Sequence, residues 1–553
     1  MVSNELSADT ASTASEIVWW KHGVVYQIYP RSFQDSNGDG IGDLQGIIDR
    51  LDYLNDGTPE SLGIHAIWLS PFYPSPMADF GYDVADYNDV DPMFGDLETF
   101  DRLVAEAHKR GMKIIIDYVP NHSSSEHPWF LESRSSRDNP KRDWYIWRDA
   151  KPDGTPPNNW GSWFGGSAWE WDETTGQYYL HLFDKGQPDL NWRNPEVYSA
   201  MMDVLKFWLD RGVDGFRMDV VHFILKHPDL LDNPIREGIT VDPQALDFFM
   251  YQEHRYDIAQ PEVHAINRDF RRLLDSYGET VAVGEIFMED IHEWAKYYGD
   301  AEGAEFHVPF NFRLMELKKW DATAFRTDVE LMESAIPDHA WPNYVLGNHD
   351  QKRLATRYGA RNARTAGMLL LTLRGTPTLY NGDELIMEEG KIPLSKIQDP
   401  QGVNLGAERS RDGCRTPMQW DASENAGFST VEPWLPVSDD YQTRNVAVQK
   451  GDPRSSLNFY RKLLSLRNGS PALTLGSYRA LEAPEDTYVY VRAYGNEIKL
   501  VALNFSDEPK TIDLSRAGNI VLSTEMDREG ALNGSTLDLR PNEGVLIELL
   551  PVE

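Results

Sequence analysis

Gly212-Val-Asp-Gly-Phe-Arg-Met-Asp-Val-Val-His222 predicts a short buried strand, Gly215 to Met218, that opens into a loop. Arg217 and Asp219 are two apart, so on a strand they point the same way. A carboxylate held beside a permanent cation has a lowered pKa and stays available as a nucleophile. A structural ion pair at a strand end has the same pattern, so the neighbouring sequence has to decide between them.

Outward from this stretch, short apolar runs alternate with helical periods. Val24–Ile28, His65–Leu69, Lys113–Asp117, Gly215–Met218, Val281–Gly284, Phe306–Phe312, Tyr344–Leu346 and Gly375–Tyr380 read as strands. Helices are expected over 44–54, 97–110, 195–210, 262–277, 363–371 and 457–467. This βα alternation predicts an α/β chain, a (β/α)8 TIM barrel with its working loops at the strand C-termini.

The alternation breaks twice. Residues 122–189 are rich in Trp, Gly, Ser, Asp and Pro, too long for a structureless loop, and predict an inserted subdomain B after the third strand. Val220–Pro261 is a second long insertion. From about Ser470 the texture turns to β, with Thr487–Arg492 and Lys499–Asn504 as strands, which predicts a C-terminal antiparallel β domain of sandwich type. The expected organisation is an N-terminal tail over 1–16, barrel over 17–121 and 190–469, subdomain B over 122–189 and the β domain over 470–553.

The formal charge of −35 argues against nucleic acid and anionic membranes as partners, since both need a basic surface. It fits a neutral substrate and solubility; adaptation to high salt gives the same balance. The 17 Trp and 25 Tyr supply the flat, amphipathic faces that sugar sites use, as well as ordinary packing. The single cysteine, Cys414, allows no intrachain disulfide. With no apolar run of membrane length and no basic–apolar leader, a cytoplasmic monomer or small homo-oligomer is expected.

In Asp35-Ser-Asn-Gly-Asp-Gly-Ile-Gly-Asp43 oxygen side chains alternate with turn-forming glycines, as a hard cation requires. Asp35, Asn37, Asp39 and Asp43 are candidate ligands, with the Ile41 carbonyl as one more; an Asx-rich turn without metal is the competing reading.

Polar clusters end four of the strands: Asp117-Tyr-Val-Pro-Asn-His122, Arg217 with Asp219, Glu285, and Asn348-His-Asp350. Carboxylates converging on one barrel mouth cannot all ionise freely, so at least one pKa rises. That suits glycoside hydrolysis, which needs a carboxylate nucleophile and a carboxylic acid donor. A catalytic metal is disfavoured, because His122 and His349 show no paired ligand spacing.

Asp117-Tyr-Val-Pro-Asn-His122, Gln187-Pro-Asp-Leu-Asn191, Gly215-Phe-Arg-Met-Asp219, Gly284-Glu285 and Gly347-Asn-His-Asp350 resemble, in order, the signature regions of the α-amylase family, glycoside hydrolase family 13. Gln187–Asn191 and Arg415-Thr-Pro-Met-Gln-Trp420 look like its α-glucosidase and oligo-1,6-glucosidase branch. The resemblance implies Asp219 as nucleophile, Glu285 as general acid/base and Asp350 as the third carboxylate, gripping sugar hydroxyls. It implies that His122 and His349 donate to hydroxyls of the same sugar and that Arg217 orients Asp219. Asp79 and Arg415 would pair across a closed pocket end, with Tyr82 as stacking platform and Phe164 in the wall; Arg411 is the lesser candidate for the pairing arginine. The Asp35–Asp43 loop would hold structural Ca2+, away from the catalytic mouth, and no organic cofactor is implied.

The expected activity is therefore a retaining exo-α-glucosidase acting on short oligosaccharides, with transfer to other acceptors. A trehalose synthase, sucrose isomerase or sucrose hydrolase shares the same catalytic residues. Their choice of substrate lies in loops, here Val220–Pro261 and Lys391–Ser410; Val220, just after the nucleophile, resembles α-1,6-acting relatives. A non-catalytic transporter heavy chain is the rival of another class. It is disfavoured because Asp219, Glu285 and Asp350 are all present and no membrane segment is.

Overall fold

In the computed structural model residues 17–242, 245–514, 516–532 and 534–550 are described; the expected tail over 1–16 lies outside them. Eight parallel strands form one sheet: β1 (Val25–Ile28), β2 (Ala66–Leu69), β3 (Lys113–Tyr118), β4 (Gly215–Met218), β5 (Val281–Glu285), β6 (Val308–Phe310), β7 (Asn343–Val345) and β8 (Thr376–Tyr380). The pairing order is β6-β5-β4-β3-β2-β1-β8-β7, so the backbone ladder stops between β6 and β7. Side chains bridge that seam. The Asn311 N–H donates to Asn343 Oδ1 at 2.9 Å, and Asn343 Nδ2 donates to the Pro309 carbonyl at 2.5 Å.

Alternation along the strands sorts the residues. Phe216 and Met218 of β4 face the outer core beneath the helices, while Arg217 lies inside the barrel. Val25, Trp68, Ile115, Val281, Val283, Val308 and Phe310 fill the interior below Arg217, leaving only about 20 Å³. The barrel is a packed core, and its function is confined to its mouth. Gly215 has a local reason: a Cβ there would lie 2.5 Å from the Val281 carbonyl oxygen, so only glycine lets β4 approach β5 this closely.

Helices follow the strands, among them Leu97–Lys109, Pro195–Asp210, Val263–Asp275, Ala322–Ala335, Ala363–Thr372 and Ser456–Asn468. The helix expected over 44–54 is broken at Arg50 into Leu44–Asp49 and Leu51–Leu54, and Ala322–Ala335 is a helix beyond those expected. The first insertion carries a three-stranded sheet of Trp147–Arg148, Gln177–Leu180 and Trp169–Asp172. At the C-terminus lie a six-stranded antiparallel sheet and a two-stranded one, after the short helix Pro471–Thr474. Among the described residues no helix is long and apolar enough to cross a membrane.

Candidate active site

Strand register assembles the centre of the site. Asp117 and Arg217 occupy the same rung of β3 and β4, and Arg217 pairs in register with Val283 of β5, two residues before Glu285. From this position the Arg217 guanidinium reaches three carboxylates: Nη1 donates to Asp117 Oδ1 at 2.7 Å and to Asp219 Oδ1 at 2.6 Å, and Nη2 lies 2.5 Å from Glu285 Oε1. All four side chains are buried.

The local backbone aims the third contact. Val220 follows Asp219 at φ +34°, in the left-handed region that β-branched residues avoid. In this conformation its N–H donates to Glu285 Oε2 at 3.0 Å, tying the two catalytic candidates through one backbone.

Electrostatics separate the roles. Burial pushes Glu285 well above the usual carboxylate range, and Asp219 and Asp350 add repulsion, against the pull of Arg217. Asp219 is also raised by burial, but Arg217 and a hydrogen bond from Glu285 work to keep it ionised. The proton of this coupled pair therefore belongs on Glu285, leaving Asp219 as the carboxylate. Burial opposes ionisation of Asp350 too, yet His349, Arg411 and Arg415 outweigh it and hold its carboxyl well below the usual range. His349 itself is kept neutral by burial, down to about 3, so at neutral pH the two guanidiniums carry that effect.

The pocket around these groups has a volume of about 150 Å³. Asp79, Tyr82, His122, Phe164, Asp219, Glu285 and Asp350 all line it, together with Arg411. Arg217, His349 and Arg415 stand behind that lining. The His349 ring is parallel to Tyr82, with centres 5.5 Å apart and planes 4° apart, and its Nε2 lies 2.7 Å from the Tyr82 hydroxyl; it also stacks with Tyr29, and its Nδ1 lies 2.7 Å from Gln27 Nε2. His122 Nε2 is 3.0 Å from Gln187 Nε2, which in turn donates to Asp79 Oδ2 at 3.3 Å. Phe164 packs edge-on to Phe183, with the Arg411 guanidinium 5.4 Å from its ring centre.

The expected Asp79–Arg415 pair needs correction, because the arginine on Asp79 is Arg411. Arg411 Nη2 donates to Asp79 Oδ1 at 2.7 Å and to Asp399 Oδ1 at 2.6 Å, and Nη1 donates to Asp350 Oδ1 at 3.0 Å. Asp399 is the physical reason: its second oxygen accepts the Arg411 N–H at 2.6 Å, which fixes both the backbone and the fork of this arginine toward Asp79. Arg415 donates to Asp350 Oδ1 at 2.9 Å and to the His349 carbonyl at 2.8 Å, bracing the third carboxylate from below.

Sequence reasoning did not pick out Asp399, nor the wall residues Trp163, Phe183, Phe287, Gln351 and Gln401. None of them sits in a signature motif. Phe287, two residues after Glu285, and Gln351, next to Asp350, carry a positional hint, and Asp399 and Gln401 fall in the Lys391–Ser410 loop.

The Asp35–Asp43 loop lies against Ser429 and Phe428, outside the pocket wall. Its donor chemistry, all oxygen, suits a hard cation. Its geometry here is that of nested Asx turns. Asp35 Oδ1 accepts the N–H groups of Asn37 and Gly38, and Oδ2 those of Gly40 and the Ser429 hydroxyl. Asp43 accepts from Ser36 and caps the following helix at Gly46. Asn37 Oδ1 and Asp39 Oδ1 each accept a single N–H. Among the described residues no three His, Cys, Asp or Glu side chains are gathered as a cation cage.

Residues 27–476 match the family described as alpha amylase, catalytic domain. The probable alpha-glucosidase of Rhizobium meliloti (strain 1021) is 45% identical over 509 residues, covering 90% of this chain and 91% of the relative. The oligo-1,6-glucosidase of Heyndrickxia coagulans is 43% identical over 534 residues, covering 90% and 93%. Among solved structures, the alpha-glucosyl transfer enzyme XgtA superposes with a TM-score of 0.89 at 42% identity, covering 97% of this chain and 100% of that one.

Proposed function

The chain belongs to the α-amylase family, and on that premise we propose that it is a retaining, exo-acting α-glucosidase that releases terminal non-reducing glucose from short α-glucosides. The observation that carries the reading is Asp219 and Glu285 held on one arginine, Arg217, in the pocket that Asp350 also lines, with a proton favoured on Glu285 and excluded from Asp350. Asp219 attacks the anomeric carbon while Glu285 protonates the departing oxygen, giving a glucosyl ester. Water then enters with Glu285, now ionised, as base, and the second inversion restores the α configuration. Asp350, ionised and a quarter exposed in the pocket, accepts hydrogen bonds from sugar hydroxyls as the ring flattens. If an alcohol or a second sugar replaces water, the product is a new glucoside.

Exo action follows from the closed end. Asp79, Arg411, Asp399 and Asp350 form one buried charge network beyond the sugar site, which a long glucan cannot thread. Incubation with maltose, isomaltose and soluble starch is expected to give glucose as first product from the disaccharides and little release from starch. Mid-length oligosaccharides from starch would overturn exo action. Arg411→Ala leaves three carboxylates facing one another. Losing one partner of a buried charge pair costs about 2–5 kcal/mol, so kcat/KM on maltose is expected to fall by about 100-fold. Arg411→Lys recovers little, because an ammonium cannot serve several carboxylates at once. Full activity in Arg411→Ala would remove the network from substrate recognition.

We propose structural calcium at Asp35–Asp43, supported by the alternating oxygens and by the capacity left on Asn37 and Asp39. Calcium binding only to the folded state raises stability by mass action, so a chelator is expected to lower Tm by several degrees and calcium to restore it. An unchanged Tm, with no metal by elemental analysis, would leave the loop as the Asx-turn structure described above. A cytoplasmic site is also proposed, supported by the buried thiol of Cys414, and cell fractionation tests it.

A further inference from the structure

Gln27 is a polar side chain in a packed apolar interior. On β1 the side chains of Tyr26 and Ile28 lie in the outer core, and Val25 lies among the residues that fill the barrel. By the same alternation Gln27 points inward, two residues nearer the mouth than Val25. It is 0% exposed, as are Ser70 and His349. A buried amide costs free energy unless its polar atoms are hydrogen-bonded, and Gln27 Oε1 has no hydrogen-bond partner among the described residues. The contacts of this amide are at its nitrogen, which donates to Ser70 Oγ at 3.1 Å and lies 2.7 Å from His349 Nδ1.

The other ring nitrogen decides which way the contact with His349 runs. His349 Nε2 lies 3.2 Å from Asp350 Oδ2 and 2.7 Å from the Tyr82 hydroxyl. Against burial, its cationic neighbours keep Asp350 ionised, and burial keeps His349 neutral. A neutral imidazole has one N–H and one lone pair. A lone pair on Nε2 would face the Asp350 carboxylate, so the proton belongs on Nε2 and Nδ1 is the acceptor. Gln27 must then present its NH2 group, not its oxygen, to Nδ1. The Tyr82 hydroxyl, accepting from Nε2–H, is left to donate to Asp117 Oδ2 at 3.3 Å. Trp68 Nε1 donates to the same oxygen at 3.0 Å, and Arg217 Nη1 to the other at 2.7 Å. The hydrogen bonds thus run in one direction, from β1 through His349 and Tyr82 to the carboxylate that Arg217 holds.

Resting on the α-glucosidase reading, we propose that Gln27 is a positioning residue for the third carboxylate: by donating to Nδ1 it holds His349 in the Nε2–H form, so that one N–H is always aimed at Asp350 and the Tyr82 oxygen. The opposite tautomer replaces that N–H by a lone pair, repels the Asp350 carboxylate and draws the Tyr82 hydroxyl proton away from Asp117. Gln27 is buried behind the pocket lining and acts only through His349.

The test reads the ring directly. 15N spectra of the full chain labelled only at histidine report both ring nitrogens of His349, assigned by the signals lost in His349→Asn. At neutral pH the wild type is expected to show a protonated Nε2 and a bare Nδ1. Gln27→Glu sets an acceptor against Nδ1 and is expected to bring a proton there. Gln27→Met keeps the side-chain length and removes the donor. Its kcat on maltose is expected to fall about tenfold, because an acceptor left bare in the interior loses its preference for one tautomer. KM is expected to change by less than about twofold, because Asp350 grips the sugar most tightly in the transition state. A packing role alone would lower Tm and leave the ring and kcat as they are. A wild-type Nδ1–H, a Gln27→Glu ring unchanged from wild type, or an unchanged kcat in Gln27→Met overturns the proposal and leaves the glucosidase reading intact. The wild-type spectrum decides even where a variant fails to fold. Absence of glucose release from maltose overturns that reading and the positioning role with it.

Discussion

Asp219→Asn is expected to lower kcat on maltose on the order of 10⁴-fold or more, with the fold and substrate binding retained. An amide cannot form the glucosyl ester, and losing a nucleophile forfeits the covalent route outright. The contact with Arg217 Nη1 at 2.6 Å survives through the amide oxygen, so the variant keeps the local geometry. This matters for interpretation, because Arg217 also holds Asp117 and Glu285, and a collapse of that cluster would mimic loss of chemistry. Circular dichroism and binding of a glucose-like inhibitor separate the two. Near-normal turnover in Asp219→Asn would take the nucleophile's role away from this residue.

Glu285→Gln is expected to split substrates by leaving group. General acid catalysis is worth about 10²–10⁴-fold, and maltose, whose leaving group is a poorly acidic sugar hydroxyl, loses the whole of it in the first step. An aryl glucoside with an acidic phenol needs little protonation and is much less impaired. The variant also changes the pH profile, and the sign follows from the shifts. Burial with repulsion from Asp219 and Asp350 raises Glu285 above the usual carboxylate range. Its active form is the protonated one, so wild-type kcat/KM falls as pH rises through that raised pKa. Asp219 must be ionised, so activity also falls as pH drops through its own pKa. In Glu285→Gln the alkaline limb disappears and the acid limb remains. Retention of the alkaline limb, or equal loss on both substrate types, would assign the proton to another group.

The same chemistry explains the use of arginine at position 217. One guanidinium in the barrel mouth serves three carboxylates, which a lysine point charge cannot do with comparable geometry. Two protonation states then share one small volume: burial raises both carboxyls, repulsion from Asp219 and Asp350 adds to it at Glu285, and Arg217 with the hydrogen bond from Glu285 favours the ionised form of Asp219.

The barrel and the catalytic candidates are legible in the linear order of the residues. Strand period and helix period are properties of neighbouring residues, and the catalytic side chains sit at strand ends, so a linear reading reaches both. Arg217 and Asp219 are two apart, and their contact is a local consequence of the pleat. Other features needed the tertiary structure because they join segments far apart in the chain. Asp399 selects Arg411, not Arg415, as the partner of Asp79 across more than three hundred residues, and the linear order, which favours Arg415, holds no trace of that contact. The left-handed turn at Val220, which aims an N–H at Glu285, runs against the preference of a β-branched residue and is imposed by packing. The two insertions share a single core in which Trp160, Phe164 and Phe183 of one meet Val220, Phe223 and Phe249 of the other. Neither insertion shows a period of its own, since each half of that core is apolar toward the other, and the part of the pocket wall made by Trp163, Phe164, Phe183 and Val220 exists only once the halves have met.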